Sequence, residues 1–183
     1  MKTKKTNIIY SKIASKKIAL LAAAAITAFV INMTFSGGVS SASAADQIHA
    51  SREASTSVDR LWDIISNSAD DPKYWSQIHT MNIVKKTDKT IEADTTVGPF
   101  NAKGKVIITL HPRQSAITKF TEGPVIGTRT LTLTPLSENK TKIDALWNID
   151  MPGIPFIGRT FAKDNFMKTT EDALNRISQA AVE

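Results

Sequence analysis

From Ile78 to Met151 apolar residues recur at every second position, and beyond Gly158 they recur at every third or fourth. His79, Met81 and Ile83 alternate with Thr80 and Asn82, and Ile91, Ala93, Thr95 and Val97 with Glu92, Asp94 and Thr96. Val106, Ile108 and Leu110 follow Gly98-Pro99, and Ala116, Thr118 and Phe120 precede Glu122-Gly123-Pro124. Leu131 and Leu133 sit between threonines, and Ile143, Ala145, Trp147 and Ile149 complete the series. Six such stretches parted by turn signals predict an antiparallel meander with one apolar face. Phe166, Thr170, Ala173, Leu174, Ile177 and Ala181 then form a single helical stripe. A one-faced sheet needs a cover, and this helix is the only element long enough to supply it.

Upstream, Gln47–Ala54 alternates weakly and reads as a further strand. Thr56-Ser57-Val58-Asp59 has the form of a capping box, and Val58, Leu61, Trp62 and Ile65 share one helical face. Asp70-Asp71-Pro72 reads as a break, and Lys73-Tyr74-Trp75 as a short helical or turn segment. The expected class is therefore α+β: about seven strands in a curved antiparallel sheet wrapped around a long C-terminal helix. The Thr/Ala character of the helical stripe favours a cavity inside, whereas alanines opposite a large ring such as Trp147 would fill it.

Residues 1–44 carry six lysines and no acids. Taking those six from the 23 basic residues leaves 17 against 17 acidic, so the excess charge belongs to the leader and a nucleic-acid partner is not expected. The uncharged run Ile18–Phe35 follows, then small residues ending in Ala42-Ser43-Ala44. That is the order of a signal peptide cleaved before Ala45, while a run of this length also suits an uncleaved membrane anchor. Either way residues 45–183 are expected outside the cytoplasm, as one monomeric domain. With no cysteine in the chain, disulfide frameworks, thiol nucleophiles and Cys-ligated metals are excluded.

In this order of elements the chain resembles the START-like superfamily (SRPBCC, polyketide cyclase/dehydrase-like). The resemblance rests on Ala54–Trp62 entering the first helix, the Trp75 region, Gly127-Thr-Arg-Thr-Leu131 and Pro152-Gly-Ile-Pro-Phe156 before the last helix. It spans residues 47–182 and implies a helix-grip fold that binds lipids, quinones, sterols or polyketides, with a minority of members catalysing cyclisation or dehydration. No family-wide catalytic residue transfers to this sequence, and no cofactor is implied.

His49, His79 and His111 form no metal-binding spacing, so no metal is expected. No G-x-S-x-G, P-loop or G-x-G-x-x-G occurs. Arg129 shares parity with Leu131 and Leu133, with Thr118 opposite it. Inside an apolar space it needs a carboxylate or an anionic ligand head, and Glu122 and Asp94 are the nearest acids in strand order. A bulge at Gly127 would instead turn it to water. The paired acids Asp70-Asp71 and Glu171-Asp172 read as a turn and a solvated helix face. Asn139-Lys140-Thr141 is a glycosylation sequon in a turn.

The leading reading is a carrier of a hydrophobic small molecule, lined by Trp75, His79, Met81, Phe120, Arg129 and Trp147. Ile154 and Phe156 stand at its entrance, in a loop suited to a lid or a membrane contact. The alternative is a cyclase/dehydratase-like enzyme with His79 as acid/base and Arg129 as oxyanion holder. It requires both residues in one cavity.

Overall fold

A computed structural model describes residues 46–183 apart from Pro99 and residues 153–155; of Phe156, Ile157 and Arg159 it describes the backbone alone. The leader, with its signal or anchor segment, lies outside the described residues.

The chain runs β1 (Asp46–Ala54), α1 (Val58–Ile65), a 3-10 turn (Ser68–Asp70), α2 (Asp71–Tyr74), β2 (Ile78–Lys86), β3 (Thr90–Val97), β4 (Ala102–His111), β5 (Ser115–Glu122), β6 (Ile126–Ser137), β7 (Lys140–Asp150) and α3 (Phe156–Ala180). One antiparallel sheet has the order β1-β7-β6-β5-β4-β3-β2, so each strand of the meander neighbours the next and β1 closes against β7. Each alternating stretch thus forms a strand. Its inner positions, among them Ile91, Ala93, Val106, Ile108, Ala116, Leu131, Ile143 and Ala145, are buried.

Helix α1 begins one residue later than the capping-box spacing implies. Ser57 Oγ accepts from Arg60 N at 3.4 Å, so Ser57 is the cap. Thr56 is buried instead, and its hydroxyl donates to Ala181 O at 3.0 Å, tying the end of α3 to the start of α1. Thr141 Oγ1 donates to Thr56 O from β7. The expected stripe of α3 does face the sheet: Thr170, Ala173, Leu174, Ile177 and Ala181 are buried, and Phe166 half-buried. Thr170 is tolerated there because its hydroxyl bonds back to Phe166 O at 2.7 Å.

Two expectations are corrected. Phe156 belongs to the first turn of α3 and not to a loop reaching Gly158; a proline next to a helix start costs nothing, since the first helical N–H groups have no partner within the helix. On β2 a bulge between Ile78 and Thr80 breaks the alternation, so Ile78 and Met81 are the buried positions; His79 is exposed and Ile83 is 38% exposed.

Candidate functional site

Four strands carry one inward row across the middle of the sheet. Ile48 pairs with Trp147, Trp147 with Arg129, and Arg129 with Thr118. Gly127 has φ +133, but both registers run through it unbroken, so the bulge that would turn Arg129 outward does not form. Arg129 is 3% exposed.

The partner of Arg129 comes from the helical segment. Its Nη2 donates to Asp71 Oδ2 at 2.6 Å and to Thr118 Oγ1 at 3.1 Å. Neither Glu122 nor Asp94 fills that role; Glu122 pairs with Lys105 on the outer face. Asp70 and Asp71, read from the sequence as one turn, also part company. Asp70 pairs with exposed Lys73 at 2.8 Å and accepts from Asn67, whereas Asp71 is 6% exposed. Pro72 forces α2 to open at this point, which turns the two adjacent carboxylates in different directions.

Aromatic rings enclose the ion pair. Arg129 Cζ lies 4.2 Å from the centre of the Trp75 ring and 5.6 Å from that of Trp147. Trp147 stacks on Phe120 at 5.6 Å and meets Trp75 and Phe166 edge-on at 5.6 and 5.4 Å. These contacts occupy the space between the sheet and α3, as the large-ring alternative implied. Four N–H donors in this cluster are buried without a partner among the described residues: Arg129 Nε and Nη1, Trp75 Nε1 and Trp147 Nε1. Two surface hollows, one around His111 and Pro112 and one around Asp94 and Lys105, lie apart from it.

Of the residues singled out by sequence, Trp75, Phe120, Arg129 and Trp147 converge here, and Met81 is buried in the same core. His79 is on the solvent side, so it shares no space with Arg129 and the two-residue acid/base arrangement is not formed. Ile154 and the Phe156 side chain lie outside the described residues. Asp71 and Phe166 are members of the cluster that sequence reasoning misses. A buried-parity arginine demands a carboxylate, and Asp71-Pro72 just before Trp75 is the available signal.

No family model matches the chain, and no curated protein does. Solved structures do. A protein from Thermus thermophilus superposes with TM-score 0.66 at 12% identity, over 75% of this chain and 97% of its own. An aromatase/cyclase from Streptomyces sp. R1128 gives 0.66 at 10%, over 74% and 93%. A START superfamily protein from Mycobacterium smegmatis gives 0.54 at 15%, over 73% and 97%. Similarity at this identity is similarity of fold, and it agrees with the seven-stranded sheet closed on one long helix. The chain has the START-like helix-grip fold.

Proposed function

We propose that the domain is an exported, non-catalytic binding protein for a hydrophobic small molecule bearing an uncharged hydrogen-bond acceptor. The observation that carries this reading is the set of four unpartnered N–H donors gathered around Arg129. Each buried orphan donor costs about 1–3 kcal/mol, and a buried ion pair is on average no more stabilising than apolar side chains of the same volume. Stability alone therefore gives no reason for this arrangement, and an acceptor bound at these donors does. Asp71 already balances the guanidinium, so an anionic head would leave net negative charge in a low-dielectric interior. A carbonyl, quinone or ester oxygen satisfies the donors without that cost. The aromatic lining supplies apolar contact at roughly 25 cal/mol per Å².

Entry requires the cluster to open. Phe166 sits in the half of α3 from residue 156 to 169, where no described side chain is buried, and its displacement uncovers Trp147. Export rests on the leader's basic, apolar and small-residue order.

The test is native mass spectrometry of protein purified from an exporting host, followed by organic extraction. A copurified lipid-like carbonyl compound is expected, and it should be lost from the charge-free Asp71→Leu/Arg129→Met variant. Bare chain from every preparation, with no uptake of added quinones or fatty esters, would overturn the reading.

A further inference from the structure

The antiparallel registers divide the turns of the domain into two sets at opposite ends of the sheet. Asp46, Ile78, the β3–β4 turn, the β5–β6 turn and the end of β7 share one end, since Asp46 pairs with Ile149, Ile126 with Asp150, Phe120 with Gly127, and Ile78 and Ala102 with Val97. The other end holds the β2–β3, β4–β5 and β6–β7 turns. The sequences of the two sets differ in kind. The far-end turns are Thr87-Asp88-Lys89, Pro112-Arg113-Gln114 and Glu138-Asn139, all polar or charged apart from Pro112. The near-end turns Gly98–Asn101 and Gly123-Pro124-Val125 each join an apolar residue to Gly and Pro in sequence.

The two most exposed of the large apolar side chains stand at this end, while Val84, Leu136 and Val182, toward the other end, are less exposed. Phe100 is 86% exposed in the β3–β4 turn and Phe161 is 79% exposed on the second turn of α3, which starts at this end. Ile126 at the start of β6 is partly exposed at the same end of the sheet. Two phenylalanines standing almost fully in water at one end of the sheet offer that end apolar area for a contact. No described helix is long and apolar enough to cross a membrane.

From this placement we propose that the end of the domain carrying Phe100 and Phe161 seats on a lipid bilayer. The occupant is identified by where the chain enters. Asp46 opens β1 at this same end, and only ten residues separate it from the uncharged run Ile18–Phe35. Ten extended residues reach at most about 35 Å, so a bilayer holding that run would lie within that distance of the end at which the chain enters. The seat stands on sheet geometry and exposure, and does not depend on the ligand reading.

The absence of cysteine makes the test direct. In the full chain, Phe100→Cys, Thr160→Cys and Asn139→Cys would each carry an environment-sensitive nitrobenzoxadiazole label, mixed with vesicles of phosphatidylcholine and phosphatidylglycerol in equal parts. Labels at 100 and 160 should brighten several-fold and shift to the blue, while the label at 139 should not respond. Adding Phe100→Ser and Phe161→Ser to Thr160→Cys should abolish most of the response, and their exposure means the fold is left undisturbed. Vesicle-bound chain with silent labels at 100 and 160 would mean attachment through the leader alone and would overturn the seat. So would equal responses at all three sites, or a concentration-dependent response without lipid, which would identify a second copy as the occupant. A silent result with copurified ligand still present would leave the binding reading standing.

Discussion

Arg129 and Asp71 are 2.6 Å apart in an interior sealed by Trp75 and Trp147, where a charge without its partner is severely penalised. Asp71→Asn should therefore destabilise the domain by about 3–5 kcal/mol, read as a urea midpoint, while Asp71→Leu/Arg129→Met should match the parent or exceed it. An equal loss in both would show that shape, not charge, is what the pair supplies. Half of this pair is legible in the sequence. Alternation places Arg129 inside and Thr118 opposite it, because period two fixes which face a strand residue occupies. It says nothing of a carboxylate 58 residues upstream on a helical turn. On the outer face, burial pulls the Asp144 carboxyl upward, but hydrogen bonds from Lys142, Ser51 and His49 outweigh it and hold the group below the usual aspartate range. A lowered folded value means that the stabilisation is present above about pH 4 and is lost as pH falls through that folded value. Asp144→Asn should show a stability deficit at neutral pH that shrinks as the pH falls below about 4; a deficit of unchanged size would contradict this.

Bulges and close backbone contacts decide the elements where alternation alone misleads. On β2 the extra residue at His79 shifts parity, so the candidate acid/base points to water; a bulge leaves no mark in a polar–apolar pattern this short. At Gly127 the opposite holds, since the backbone reaches φ +133 without breaking register. A Cβ there would overlap Asn148 O and lie 2.8 Å from the Ile149 Cα, so Gly127→Ala should cost about 3 kcal/mol or more, measured by thermal unfolding. Among the described side chains of α3, burial is confined to the half beginning at Thr170, and the Thr56–Ala181 bond pins that end. Amides of residues 160–166 should exchange with solvent faster than those of 173–178, and uniform protection along the helix would contradict this.

At the scale of the molecule, the order of elements is readable because six alternating stretches and one amphipathic helix admit few arrangements, and the sheet closes as that pattern requires. What the interior holds is not readable. Whether Ala and Thr on α3 leave a void or make room for Trp147 depends on side chains from several elements meeting, and here Trp75, Phe120, Trp147 and Phe166 meet. The central claim is that the donors around Arg129 exist to take up an acceptor on an apolar ligand. The most direct measurement is nitrogen–proton correlation spectroscopy of the three indole N–H groups during titration with quinones and fatty esters. The Trp75 and Trp147 signals should move downfield as they gain an acceptor, and Trp62 should stay in place. Unmoved signals from Trp75 and Trp147 throughout the titration would contradict the claim.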